Sequence, residues 1–156
     1  MKKIAVISDT HGNIGGMEKL EGIFAECDLI IHLGDTSGDG ARIARKFPDK
    51  TYLINGNCDG LGCGENELVI DIEDIKIFAT HGHLYSAKST LSKLAKRAKE
   101  LNCTLVLYGH THRAREDETE GVTLINPGTM SRYSRQSYLY LVINKDKAVS
   151  KTVYLN

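Results

Sequence analysis

A chain of 156 residues holds one domain with a single substantial core and is too short for two comfortable ones. Its 41% apolar and 26% charged residues are ordinary for a soluble globular fold. Twenty Lys+Arg balance twenty Asp+Glu, so no overall field draws the chain toward nucleic acid or an anionic membrane, and neither is expected as a partner.

In chain order, residues 2–8 (KKIAVIS) form a β-branched apolar run stopped by Asp9-Thr10-His11-Gly12, the pattern of a buried strand. Asp9 also cuts that run short of a signal peptide, so the expected location is the cytoplasm. Residues 16–27 carry Met17, Leu20, Ile23 and Phe24 at helical spacing, predicting a helix. A second strand over 28–35 stops at Gly34-Asp35, a short helix over 40–47 stops at Pro48, and a third strand over 51–57 runs into a glycine turn. That alternation predicts a parallel sheet with crossover helices.

The pattern then changes. Residues 67–83 alternate around Glu73-Asp74 and predict a hairpin. Residues 86–101 place Leu91, Leu94, Ala95, Ala98 and Leu101 on one helical face, with the lysines of that stretch on a solvated one. A strand over 103–112 follows, and then three strands expected to be antiparallel, at 121–128, 137–143 and 147–155. No linker, repeat or low-complexity stretch divides the chain, so one domain over 1–156 with two sheets and outer helices is expected. Cys27, Cys58, Cys63 and Cys103 are scattered and offer no paired thiolates for structural zinc; reduced thiols are expected.

The polar residues fall at the strand exits. These are Asp9 and His11, Asp35, Asn57-Cys58-Asp59, His81 and His83, and His110-Thr111-His112, each beside glycine. In open α/β sheets ligands bind at the carboxyl ends of strands, so these exits can converge on one cleft. Singly, each Asp is better explained as a turn or helix cap. Together with the imidazoles, metal ligation is the stronger reading.

Carboxylate and imidazole donors suit Mn²⁺, Fe, Ni²⁺ or Zn²⁺ better than Ca²⁺. The donors exceed what one ion needs, and Asp35 could bridge two. Two ions roughly 3.5–4 Å apart can clamp the attacking and leaving oxygens of a phosphoryl group. The glycines at 12–16 and 34–40 lack the spacing of a phosphate-binding loop. His32, within its strand, reads as a core histidine or one supporting the ligands from behind.

The segments SDTHGN, LGD, NGNCD, THGH and YGHTH, in that order, resemble those of the calcineurin-like metallophosphoesterases, and the later INPGT is similar to their small single-domain phosphodiesterase branch. The resemblance spans essentially the whole chain. It implies a four-layer αββα sandwich of two mixed β-sheets flanked by helices. It also implies two divalent ions, Mn²⁺ being the first expectation, one held by Asp9, His11, Asp35 and His112, the other by Asp35, Asn57, His81 and His110. Catalysis would then fall to Asp35, Asn57, His81 and an orienting Asp59, with a bridging hydroxide attacking a small, nucleotide-type phosphodiester in line.

Larger members have histidine where Cys58 stands, which implies weak monoesterase activity here. Cys58, His83, Arg132 and Arg135 are the candidates for touching substrate. Two other functions stay open: a protein-binding scaffold on the same fold, like the retromer subunit that resembles these enzymes, and a phosphomonoesterase. Strand edges leave pairing of two copies open.

Overall fold

A computed structural model describes residues 1–60 and 64–156, the side chain of Ser37 excepted. The strands are β1 (Lys2–Ile7), β2 (Leu29–His32), β3 (Thr51–Leu53), β4 (Glu67–Ile72), β5 (Ile75–Thr80), β6 (Leu105–Tyr108), β7 (Arg115–Thr119), β8 (Val122–Asn126), β9 (Ser137–Asn144) and β10 (Lys147–Tyr154). The helices are α1 (Ile14–Glu18), α2 (Glu21–Glu26), α3 (Ser37–Lys46) and α4 (Ser92–Glu100). Among the described residues no helix is long and apolar enough to cross a membrane. Cys63 lies outside the described residues; Cys27, Cys58 and Cys103 are free thiols.

Two five-stranded sheets stack face to face, in the orders β10-β9-β1-β2-β3 and β4-β5-β6-β8-β7. Each has three parallel strands, β1-β2-β3 in one and β5-β6-β8 in the other, and each is completed by antiparallel strands. Strand period two sorts the side chains into layers. In β1, Ile4 and Val6 face the inter-sheet core with Ile77, Ala79, Leu105 and Leu107 of the other sheet. Ala5 and Ile7 face the opposite way, onto Met17, Leu20, Phe24 and Ile43 of the α1–α3 layer. Phe78 and Val106 take the outer face of the second sheet, where Leu94, Ala95 and Ala98 of α4 cover them. The result is four layers, α/β/β/α, and strands covered on both faces explain the unbroken apolar runs.

Four details differ from the sequence reading. The helix expected over 16–27 is two short helices; Leu20 donates its N–H to Met17 O at 2.9 Å, a tightened turn, and is 2% exposed. Gly15, Gly16 and Gly22 weaken helix continuity, each by about 1 kcal/mol relative to alanine. The helix expected from 86 begins only at Ser92, because Ser86 adopts a left-handed φ of 56° and the chain turns there.

The strand at 121–128 does not join β9 and β10. It is β8, parallel to β6 and antiparallel to β7. β7 itself (REDET) carries no apolar residue and gave no periodic signal. It is an edge strand, held by the ladder to β8 and by the left-handed pair Glu120-Gly121 (φ 54° and 78°), the backbone a tight hairpin needs. Its charges suit an edge that must resist further pairing.

Candidate metal centre

The parallel strands β1, β2, β5 and β6 and the segment after β3 deliver Asp9, His11, Asp35, Asn57, His81, His110 and His112 to one place, at the strands' carboxyl ends. The turns that aim them are unusual. Asp9, His11, Asp35, His110 and His112 have φ of 54°, 44°, 48°, 67° and 59°. A side chain in that region costs on the order of 1–3 kcal/mol and persists only where surrounding contacts enforce it.

Here the contacts are backbone bonds between the exits: Asp9 donates its N–H to Gly34 O (2.9 Å), and Gly109 donates to His81 O (3.0 Å). Glycine is required where the exits crowd together. A β-carbon on Gly56 would stand 2.0 Å from Asp35 Oδ1, and one on Gly109 would stand 2.0 Å from Ser8 Oγ and 2.9 Å from Asp9 Oδ2.

Two clusters share a boundary. In the first, His112 Nε2 is 3.0 Å from Asp9 Oδ1 and 3.3 Å from His11 Nε2. In the second, His81 Nε2 is 3.4 Å from Asp35 Oδ2 and 3.1 Å from Asn57 Oδ1, and the His81 and His110 rings are 5.1 Å apart. Asp35 Oδ2 is also 3.9 Å from His11 Nε2, so this oxygen faces both.

Ligand atoms around one tetrahedral ion at ~2.0–2.2 Å stand roughly 3.3–3.6 Å apart, which matches much of this spacing. Asp9 Oδ1 is fully buried yet has no hydrogen-bond partner among the described residues, although His112 lies 3.0 Å away. A buried carboxylate oxygen left without a donor is costly. A cation between Asp9 Oδ1 and His112 Nε2 would satisfy both atoms. The residues therefore fit divalent metal, by donor chemistry, by spacing and by this orphaned oxygen.

Proton occupancy follows the same layout. Burial would raise Asp35, but hydrogen bonds from His81 and from the Cys58 N–H (2.8 Å) outweigh it and hold the carboxyl well below the usual carboxylate range. Burial pulls His81 down, yet the carboxylates of Asp35 and Asp9 raise it on balance. The Asp9 carboxylate likewise raises His112. Burial, then the charges of His81 and Lys88, push His110 down to about 4. His81 donates from Nδ1 to Leu33 O at 2.7 Å, which fixes the ring and leaves Nε2 facing the cluster.

The other predicted site residues surround this centre. Asp59 sits behind Asp35, its Oδ2 accepting the N–H groups of Asp35 (2.9 Å) and Gly56 (2.7 Å). Cys58 is exposed, and its sulfur lies within 4.8 Å of ligand atoms of His11 and Asp35. The His83 ring packs 5.3 Å from His81 and 6.1 Å from His110. Arg132 donates to Gly12 O at 3.0 Å, one residue past His11. Arg135 instead stacks on Tyr154, 4.0 Å from the ring centre.

Several residues that hold the site were not legible as such. Asn126 donates to Gly109 O (2.8 Å) and Thr111 Oγ1 (3.1 Å) and accepts from Gly128 N–H (2.9 Å). Thr129 donates to Asp9 O (2.9 Å). Asp39 accepts the Gly12 N–H (2.8 Å), and Asn13 donates to Met130 O (2.6 Å). His32, by contrast, is the buried supporting histidine that the sequence led one to expect: it accepts the Gly34 N–H on Nδ1 and bonds Thr10 Oγ1 through Nε2, each at 3.1 Å. INPGT carried a family resemblance in the sequence, but nothing local tells which loop its polar atoms reach.

Known proteins share this layout. A family model described as the calcineurin-like phosphoesterase superfamily domain matches residues 1–147. The chain is 36% identical over 152 residues to a Bacillus subtilis protein named Probable metallophosphoesterase YsnB, covering 93% of this chain and 86% of that one. It is 30% identical over 150 residues to Phosphodiesterase MJ0936 of Methanocaldococcus jannaschii, covering 84% and 86%. Vacuolar Protein Sorting 29 from Cryptosporidium parvum superposes with a TM-score of 0.84 over 99% of this chain and 92% of that one, at 19% identity, a likeness of fold. The ligand-bearing exits, the double sheet and these matches agree: the chain belongs to the calcineurin-like phosphoesterase superfamily.

Proposed function

We propose that the protein is a phosphodiesterase that hydrolyses small phosphodiesters at a dinuclear metal centre. The observation that carries this reading is the pair of abutting donor clusters with Asp35 Oδ2 facing both. Two divalent ions bound there would acidify a water and neutralise charge growing on the phosphoryl oxygens. Manganese is the expected ion, with nickel, iron and zinc compatible with the same donors.

The chain's own part is to aim and to orient. Asp9, His11 and His112 would hold one ion and Asn57, His81 and His110 the other, with Asp35 placed to serve both. Asp59 fixes the Asp35 backbone, and Leu33 O fixes the His81 ring. Cys58 offers a thiol where larger family members have an imidazole, so a poor leaving group gains no proton from that position. A diester with a good leaving group is the better substrate, in keeping with the relative named a phosphodiesterase. Strong activity on monoesters is not expected.

The scaffold alternative draws on the Vps29 fold likeness. Binding a partner protein does not need seven donors brought to one place, five of them on left-handed backbone and several of them buried. The separating experiment is turnover of bis-p-nitrophenyl phosphate by protein stripped with chelator and reloaded with Mn²⁺, compared with Asp35→Asn and His110→Ala. Metal-dependent turnover lost in both variants supports the reading. Absence of turnover by the reloaded intact protein favours the scaffold.

A further inference from the structure

The His110–His112 segment has a second neighbour. Through Thr111 it walls a cavity of about 330 Å³, whose other lining residues are Ala87, Lys88, Tyr108, Arg113 and Arg115. The charged residues among them are all cations, and no carboxylate lines the cavity. Arg115 is already held by both oxygens of Asp117, at 2.5 Å each. Lys88 and Arg113 have no ion pair among the described residues. Lys88 lies close enough for its charge to act on both His110 and His112.

Tyr108 supplies the independent observation. Its side chain is 0% exposed, and its hydroxyl has no hydrogen-bond partner among the described residues. A buried hydroxyl without an acceptor costs on the order of 1–3 kcal/mol, and phenylalanine would pack the same ring without that penalty. The phenol is a donor at neutral pH. Two unpaired cations around a single cavity, with a lining tyrosine whose buried O–H is unsatisfied, call for a ligand that brings negative charge and acceptor oxygens.

Position decides where that ligand comes from. Thr111 is bonded to two metal ligands, His110 and His112, and neighbouring Cα atoms are only ~3.8 Å apart. A diester whose phosphorus sits at the cluster would have this cavity as its neighbour across Thr111.

We propose that this cavity binds an anionic group, phosphate or carboxylate, carried on one ester arm of the substrate, so that the preferred substrates are phosphodiesters bearing a second negative charge. The proposal rests on the phosphodiesterase reading above. It identifies what lies beyond the scissile bond.

The test uses the Mn²⁺-loaded full chain and three p-nitrophenyl phosphodiesters, whose second arm is propyl, 3-carboxypropyl or 3-phosphopropyl. The expected result is a kcat/KM at least about tenfold higher for a charged arm than for propyl, the worth of one charge-assisted hydrogen bond, carried mostly in KM. Comparing the two charged arms identifies the preferred anion. The preference shrinks toward one in the Lys88→Ala/Arg113→Ala protein and falls several-fold in Tyr108→Phe, where the ring is kept. A ratio near one in the intact protein, or a ratio the variants leave unchanged, overturns the proposal.

If no diester, propyl included, is hydrolysed, the phosphodiesterase reading is what has failed. Calorimetry of the metal-free protein with inorganic pyrophosphate then decides the anion site alone. Binding heat lost in the Lys88→Ala/Arg113→Ala protein upholds the site; no heat, or heat the substitutions leave intact, overturns it.

Discussion

The side-chain amide of Asn126 donates to the carbonyl oxygen of Gly109 across 2.8 Å, fastening the end of β8 to the turn that carries His110 and His112. The same amide reaches Thr111, and the Asn126 carbonyl takes the Gly128 N–H. None of these atoms belongs to a side chain of the candidate metal centre, yet together they set where two imidazoles point. Substituting Asn126→Leu should lower metal affinity about 10–100-fold, the usual effect of losing a ligand's support. Calorimetric Mn²⁺ titration of both proteins checks it, and equal affinities would remove Asn126 from the account.

Gly56 is required by crowding. An added β-carbon would meet Asp35 Oδ1 at 2.0 Å and the Asp35 nitrogen at 2.5 Å, whereas one on Gly60, four residues on, meets nothing within 4 Å among the described residues. Gly56→Ala should therefore reduce metal-dependent diester turnover by at least about tenfold, as a displaced catalytic group does, while Gly60→Ala stays near wild type. Comparable rates for the two variants would count against the geometry around Asp35.

His32 makes stability depend on pH. Burial lowers its pKa from the ordinary 6.5 to about 4, so the folded state resists protonation that the unfolded chain accepts. The sign follows: this stability is fully present above about 6.5, erodes as pH falls, and is gone below about 4. At ~1.4 kcal/mol per pH unit the loss is roughly 3 kcal/mol across that window. In urea unfolding of metal-free protein at pH 7 and pH 4.5, wild type should lose more stability than His32→Gln. Parallel losses would mean that His32 does not titrate as its burial implies.

The thiol of Cys58 stands near His11 and Asp35, at an exposed position. Cys58→His places an imidazole there that can protonate a departing alkoxide, a contribution worth about 10²–10⁴-fold where geometry allows. The expected outcome is a higher ratio of p-nitrophenyl phosphate to bis-p-nitrophenyl phosphate turnover. An unchanged ratio would separate monoester weakness from this position.

What the sequence made legible was the part written locally. Glycine-flanked Asp and His at strand ends announce ligands because turns at buried strand exits have few other reasons to carry imidazole. The doubly covered strands were visible as unbroken apolar runs. Where structure depends on distant partners, the reading failed. REDET becomes a strand because β8 offers it a ladder, and the parallel pairing of β8 with β6 joins segments whose local sequence carries no hint of the second sheet's order. The supports at Asn126, Thr129 and Asp39 act across long separations, so their roles appear only when the loops meet. The split of the helix over 16–27 is a local effect, and its glycines could have warned of it.

Residues from five strand exits are proposed to cage two divalent ions about the Asp35 carboxylate. Anomalous diffraction from a crystal soaked in Mn²⁺, with metal content measured on the same protein, tests it most directly. The account predicts two peaks, one among Asp9, His11 and His112 and one among Asn57, His81 and His110, with an Asp35 oxygen in contact with both. A saturated crystal showing no ion at these residues, or a single ion that leaves Asp35 unengaged, would contradict it.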